Sequence, residues 1–85
     1  MAKVKFNIEE KQAANLLNIL SNISDCFYSK ISTYSTFLMI WVDYYGDIQD
    51  LLKQITESAS YNEYDIAGLT AVAEDGTYYA VDKEV

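Results

Sequence analysis

The side chains that could do chemistry in this chain are one cysteine, Cys26, and 13 Asp and Glu residues. The sequence contains no histidine, which is the residue most often used for proton transfer and for activating a nucleophile. Without a neighbouring base, Cys26 is expected to be a buried, unreactive thiol near a helix start. A single cysteine also excludes an internal disulfide, which agrees with a reducing compartment.

The acidic residues form groups, but no group has the spacing of a catalytic or metal-binding motif. Asp43, Asp47 and Asp50 could approach one another on a helical surface and attract a divalent cation, yet their spacing does not match a calcium loop. The pairs Glu9–Glu10 and Glu74–Asp75 are explained by a helix N-terminus and a turn. Clustered Cys and His for zinc, and clustered glycines for phosphate, are both missing. We therefore expect no enzyme activity, no metal site and no cofactor.

Charge is distributed unevenly along the chain, which has a net charge of -7. Residues 1–40 contain four Lys and three acidic residues, whereas residues 41–85 contain two Lys and ten acidic residues. A protein that binds nucleic acid directly needs a basic surface to neutralise phosphates, and the chain has no Arg. We therefore expect no direct contact with nucleic acid, and a protein partner with a basic surface.

The length of 85 residues, of which 51% are hydrophobic, suits one small folded core. We predict a single domain over residues 1–85, because no linker, repeat or low-complexity segment divides the sequence. The longest apolar run, Phe37–Val42, is too short to cross a bilayer. We therefore expect no membrane contact and a cytoplasmic location.

The stretch over residues 27–45 contains the only Trp and four of the eight Tyr. Its large apolar residues recur every three or four positions, which is the spacing of one helix face: Phe27, Ile31, Tyr34, Leu38, Trp41 and Tyr45. This spacing predicts a central helix over 27–45 that ends at Gly46, with Trp41 largely buried. The Ser and Thr residues of the stretch disfavour a helix, and a buried strand over residues 36–45 is the alternative.

The flanking segments predict an α+β fold. Alternating apolar residues over 3–8 indicate a short strand, and apolar residues at helical spacing indicate helices over 9–23 and 47–57. With the central helix, this makes three helices, packed against a C-terminal hairpin that the N-terminal strand can join.

The C-terminal hairpin is predicted over residues 69–73 and 77–82. Asp75-Gly76 is a strong signal for a two-residue turn between these strands. In that register Val72 lies opposite Tyr79.

Tyrosines beside acidic residues are the feature most typical of a binding surface, because Tyr offers contact area and a polar tip at low entropic cost. The predicted loop and hairpin turn supply one candidate partner-binding set: Tyr61, Glu63, Tyr64, Asp65, Glu74, Asp75 and Tyr78. The outer face of the predicted third helix supplies a second: Asp47, Asp50 and Glu57. The alternative is that these tyrosines fill the core and the charge only keeps the chain soluble.

Carboxylates beside aromatic rings predict a small acidic inhibitor or regulator that occupies a basic, nucleic-acid-binding surface of a partner protein. In size, acidity, lack of catalytic residues and Asn-, Ile-, Tyr- and Lys-rich composition, the chain is similar to small bacteriophage proteins, including anti-CRISPR and DNA-mimic inhibitors. This resemblance is one of composition and involves no motif. It implies the cytoplasm of a host cell if the chain is phage-encoded. The alternative function is a non-catalytic assembly module, with a homodimer through the central helix.

Overall fold

A computed structural model describes residues 1–81, which form a five-stranded antiparallel sheet and two α-helices. In chain order the elements are β1 (Ala2–Glu9), a 3-10 turn (Glu10–Gln12), α1 (Ala13–Ser21), β2 (Cys26–Tyr34), β3 (Phe37–Tyr44), α2 (Ile48–Asn62), β4 (Thr70–Ala73) and β5 (Tyr78–Ala80). The predicted α+β class is right. The predicted layout of three helices and a C-terminal hairpin is wrong, because most of the sheet was taken for helix.

The strands lie in the order β2-β3-β1-β4-β5, so that β1 is central and each helix connects two strands that are not neighbours. The first four strands and the two helices follow the β-α-β-β-α-β order of the split βαβ, or ferredoxin-like, arrangement. Strand β5 extends the sheet beside β4. At the other edge, β2 is nine residues long and pairs with β3.

The hydrophobic core lies between the two helices and one face of the sheet. On β1, Val4, Phe6 and Ile8 are buried and the residues between them are less so, which is the alternation of a strand covered on one side. The same cluster contains the inner residues of both helices: Ala13, Leu16, Ile19, Leu20, Leu51, Leu52, Ile55 and Ala59. Fully burying one such Leu, Ile or Phe side chain stabilises the fold by about 1.5–3 kcal/mol. Both helices therefore pack against the same face of the sheet.

Helix α2 begins at a side-chain cap and ends at a left-handed residue. The Asp47 carboxylate accepts a hydrogen bond from the Gln49 backbone N–H at 3.2 Å, which satisfies a free donor of the first turn. The helix continues past its predicted end at residue 57 and stops where Glu63 has a φ of 57°. Tyr61 therefore lies on the last turn of the helix, not in the predicted loop.

Residues 27–45 form an antiparallel hairpin, so the predicted central helix is wrong. Strands β2 and β3 pair along their length, and the chain reverses at Ser35 and Thr36, where Ser35 has a φ of 58°. Aromatic and β-branched residues favour extended backbone, and Ser and Thr disfavour helix. These local preferences prevail over the helical spacing of the large apolar residues. The alternative prediction, a strand over residues 36–45, corresponds to β3.

Trp41 does not lie in the core. It lies on β3 between the buried residues Ile40 and Val42, so its side chain points to the face of the sheet away from the helices, where it is half-buried. Trp41 is therefore partly buried, but it lies on a strand outside the core and not in the predicted central helix. The largest fully buried aromatic is Phe6 on β1.

The β4–β5 hairpin differs from its prediction by one residue of register. Val72 pairs with Tyr78 instead of Tyr79, because the turn contains three residues instead of two. The Ala73 N–H donates to the Thr77 carbonyl at 2.8 Å, and Gly76 takes a φ of 91° within the turn. The shift places Tyr79 against the core. The last residue of the predicted hairpin, Asp82, lies outside the described residues.

Candidate functional site

The face of the sheet away from the helices, called here the open face, has no element packed against it within residues 1–81. Residues paired across neighbouring strands share a face of a sheet, so the register assigns the residues of the open face to four rows. The first row is Phe27, Asp43 and Lys3, and the second is Lys30, Trp41, Lys5, Val72 and Tyr78. The third is Ser32, Met39, Asn7, Thr70 and Ala80, and the fourth is Tyr34, Phe37 and Glu9.

Large aromatic side chains are exposed on this face. Phe27 is 57% exposed, Tyr34 73%, Phe37 42% and Tyr78 64%. The Phe27 ring also meets the exposed Tyr45 ring edge-on, with 6.0 Å between ring centroids. These rings are separated by charged and polar residues of the same face. Several exposed large rings on one uncovered face make that face a candidate interaction surface.

Trp41 lies in the second row, on β3, and lines a shallow depression. The Lys30 ammonium is 4.8 Å from the centre of its ring, within the range of a cation–π contact. The depression has a volume of about 360 Å³ and is lined by side chains of both signs, among them Lys3, Lys5 and Asp43. Its shape and lining suit a side chain of a binding partner.

The charge on the open face is the opposite of the charge on the whole chain. Lys3, Lys5 and Lys30 lie there with two acids, Glu9 and Asp43. Both acids have a cation nearby, since Asp43 is 3.5 Å from the Lys3 ammonium, and Glu9 is 3.5 Å from the ammonium of Lys11 on the 3-10 turn. The acidic excess therefore lies on the helical side and at the ends of the sheet.

The residues of the predicted loop-and-turn set do not form one surface. The stretch with Glu63, Tyr64 and Asp65 precedes β4, and the turn with Glu74 and Asp75 follows it, so the two groups lie at opposite ends of that strand. Of the remaining members, Tyr61 is exposed on α2 and Tyr78 belongs to the second row of the open face.

One end of the molecule does bring predicted acids from both sets together. Asp47 at the start of α2 lies with Glu74 and Asp75 around a cavity of about 450 Å³. Lys3 and the N-terminal Met1 also line this cavity, so the acids there are partly balanced by positive charge.

Four of the predicted acids are used within the fold. Asp47 caps α2, and Asp50 accepts hydrogen bonds from the Tyr44 hydroxyl at 2.6 Å and the Gln54 amide at 3.1 Å. The remaining two also accept hydrogen bonds: Asp65 from the Gln12 amide and the Ala67 N–H, and Asp75 from the Thr77 N–H.

The hydrogen bonds of these acids shift two pKa values. The backbone N–H of Thr77 stabilises the ionised Asp75 and lowers its pKa. The hydrogen bond to Asp50 raises the pKa of the Tyr44 hydroxyl, with burial acting in the same direction. Both groups therefore keep their ordinary charge at neutral pH, and the carboxylates stabilise the local structure.

Three predicted acids remain available to a partner. The carboxylates of Glu57, Glu63 and Glu74 are exposed and make no hydrogen bond or ion pair with the described residues. Glu57 and Tyr61 line a groove of about 740 Å³ between α2 and β5. These three carboxylates lie on different parts of the surface, so they do not form a single acidic patch.

The Cys26 thiol lies at the start of β2, not near a helix start as predicted. Burial raises its pKa to about 11, so it is protonated at neutral pH. A protonated thiol is a poor nucleophile. Within residues 1–81, no three His, Cys, Asp or Glu side chains are grouped closely enough to hold a metal ion.

The sequence interpretation missed the open face because it missed β2 and β3. The one available signal was on β1, where Lys3, Lys5 and Asn7 alternate with buried residues. That pattern predicts a strand with a second, polar side, but only the register adds Trp41 and Phe27 to it.

In comparisons with known proteins, no family model, no curated protein and no solved structure matches this chain. Neither helix in the part of the chain that the structure describes is long and apolar enough to span a membrane. Function is therefore argued from the surface of the molecule itself.

Proposed function

We propose that this protein is a non-catalytic protein-binding module whose binding surface is the open face of its sheet. The observation that carries the proposal is the exposure of Phe27, Tyr34, Phe37 and Tyr78 on one uncovered face around Trp41. Aromatic residues are enriched at the centres of protein interfaces, where they supply much of the binding energy.

A binding role fits the chemistry of the chain better than catalysis does. The sequence has no His, and the thiol of Cys26 is protonated at neutral pH. The depression at Trp41 is lined by Lys, Asp, Ser and Val side chains, which suits recognition of a side chain.

A protein partner also fits better than a nucleic acid. The open face carries three lysines, but the chain as a whole has a net charge of -7 and a calculated pI of 4.2. Its long-range field repels a polyanion, and binding to phosphates relies on a strong basic field.

The second candidate function is the acidic inhibitor of a basic protein surface. The observation in its favour is the approach of Asp47, Glu74 and Asp75 at one end of the molecule. It competes with the first proposal, because a basic partner docked at that end would leave the aromatic rings of the open face uncovered.

Affinity capture with matched variants separates these two candidates. The open-face variant Phe27→Ser/Tyr34→Ser removes two exposed rings. The acidic variant Asp47→Asn/Asp75→Asn removes two charges from the acidic end and keeps the side-chain oxygens that accept hydrogen bonds there. Both change exposed residues, so each substitution should alter the free energy of unfolding by about 0.5–1 kcal/mol or less. Glu10→Gln, another exposed acid, is the control.

We expect the open-face variant to lose the partner that the wild type retains, and the acidic variant to retain it in high salt. Loss with the acidic variant alone, together with release of the wild type as salt rises, would favour the inhibitor. Retention by both variants would contradict both proposals.

A further inference from the structure

We infer that the partner which the open face fits is a second copy of this chain, docked face to face across a two-fold axis perpendicular to the strands. This inference rests on the proposed function, because it names the occupant of the same surface. The supporting observation is that turning one sheet over onto the other brings opposite charges on β1 together, and apolar residues on β2 and β3 together.

The rows define where the axis lies. Phe6 and Ile40, which pair with each other on the core face, lie between the second and third rows. A two-fold axis running across the strands at this midline places the first row of one copy over the fourth row of the other, and the second row over the third.

The charged ends of β1 then meet with opposite sign. Lys3 of each copy lies over Glu9 of the second copy, which makes two equivalent contacts between opposite charges. Sheets packed face to face keep their strands within about 30° of each other, and the long Lys and Glu side chains can span the small lateral offset that this twist produces.

Two pairs of apolar residues are matched under the same operation, whereas Phe37 lies over Asp43 of the second copy. Phe27 lies over Tyr34 of the second copy, and Trp41 lies over Met39 of the second copy. Pairs of aromatic rings, and contacts between a thioether and a ring, are both favourable when buried. The exposed rings of the edge strand β2 are therefore covered by one another.

A two-fold axis parallel to the strands and centred on β1 gives a poor match. It would place Lys3, Lys5 and Glu9 each over the same residue of the second copy, so that like charges would face one another. The perpendicular axis avoids this, which is why we select it.

The open face has the size that a dimer needs. Strands about 4.8 Å apart that rise about 3.4 Å per residue give it a projected area on the order of 500 Å². The accessible area is larger than this projection, because the side chains stand out from the sheet. Two such faces therefore bury about 1,000 Å² or more in total, which is the lower bound for a specific interface.

The test is sedimentation equilibrium of the full chain and of charge-reversed variants. We expect the wild type to show a concentration-dependent species of twice the 9.7 kDa mass of one chain. Lys3→Glu or Glu9→Lys alone should raise the dimer dissociation constant about tenfold, because each creates two like-charge contacts. The double variant Lys3→Glu/Glu9→Lys should recover most of this loss, because opposite charges again meet between the copies. The ion pairs with Asp43 and Lys11 within each chain are broken in monomer and dimer alike.

The matched control is Lys11→Glu, which also breaks the ion pair of Glu9 within the chain but lies off the open face. It should leave dimerisation unchanged. Circular dichroism of each variant establishes that it is folded, so that loss of the dimer is not a result of unfolding.

Three kinds of result would overturn the inference. The first is a dimer whose dissociation constant is insensitive to the single reversals, or is not recovered in the double variant. Either would refute this arrangement of the two copies. A chain that stays monomeric up to about 1 mM would refute self-association. In that case the capture experiment with Phe27→Ser/Tyr34→Ser still decides whether the open face binds another protein.

The third result identifies a different occupant. Quenching of the Trp41 fluorescence of a monomer by an oligo-dT of about ten nucleotides would assign the open face to single-stranded nucleic acid. That outcome would refute both this inference and the proposed function.

Discussion

Phe6 and Phe27 carry the same side chain on opposite faces of the sheet, and replacing each with Ala separates the energetics of the two faces. Phe6 is fully buried on the central strand, and Phe27 is 57% exposed on the edge strand. Phe6→Ala leaves a cavity between the sheet and the helices and should lower the free energy of unfolding by about 3–5 kcal/mol. A small domain has about 5–15 kcal/mol in total, so this is a large fraction of its stability.

Phe27→Ala should have a much smaller effect on the same quantity. Less than half of the Phe27 side chain is buried, and water can fill the space it leaves, so no cavity forms. Full burial of a Phe contributes about 1.5–3 kcal/mol, which gives about 1 kcal/mol here. Phe27 and Trp41 would both have been core residues of the predicted central helix.

Urea unfolding followed by circular dichroism measures the difference, at protein concentrations low enough to keep the chain monomeric. With a slope of about 1–2 kcal/mol/M, the midpoint should fall by roughly 2–4 M for Phe6→Ala and by less than about 1 M for Phe27→Ala. If Phe6→Ala is already unfolded in water, Phe6→Leu supplies a smaller, measurable shift. Equal losses for Phe6→Ala and Phe27→Ala would refute the assignment of the two faces.

Two further predictions concern single residues. Asp47→Ala should lower the free energy of unfolding by about 1 kcal/mol, because it removes the cap of α2, whereas Asp47→Asn should retain most of it in the same urea assay. The pKa of the Cys26 thiol is 9.0 when the chain is unfolded and about 11 when it is folded. Between these values the unfolded chain loses this proton first, so the stability of the wild type should fall as pH rises from 9.0 towards about 11. Urea midpoints at about pH 8 and about pH 10.5 measure this loss, and Cys26→Ser should reduce it. Part of the loss should remain, because the pKa of the Tyr44 hydroxyl is also raised. An equal alkaline loss in the two proteins would contradict the role of Cys26.

The elements that the sequence predicts best are those with one apolar face against the core. The alternation of Val4, Phe6 and Ile8 identifies β1, and residues at helical spacing identify α1 and α2, because in each case a single face is buried. The end of α2 could not be placed, since Ala59 is buried in a segment that otherwise contains turn-forming residues.

Strand β2 is the element that periodicity could not predict. As an edge strand with no helix over its full length, it carries exposed residues on both faces, including Phe27, Tyr28 and Ile31. A bulge between Tyr28 and Lys30 also interrupts its alternation. Its apolar residues therefore fell by chance at helical intervals with those of β3, whereas the Ser and Thr content indicated the extended conformation.

The candidate site could not be predicted for the same reason. Its residues come from five strands, and pairing between distant strands is not encoded in local pattern. The Asp75-Gly76 signal located a turn, but the choice between two and three turn residues decided which face Tyr78 and Tyr79 occupy. The acidic residues were visible in the sequence, whereas their use as caps and turn acceptors was not.

The measurement that tests the open face most directly is acrylamide quenching of the single Trp. Trp41 lies on that face, so its accessibility to a small quencher reports whether the face is covered. We expect efficient quenching in dilute protein, and clear protection at concentrations where the chain associates or when a captured partner is added. Association that leaves the quenching of Trp41 unchanged would show that binding occurs elsewhere, and would contradict the assignment of the open face.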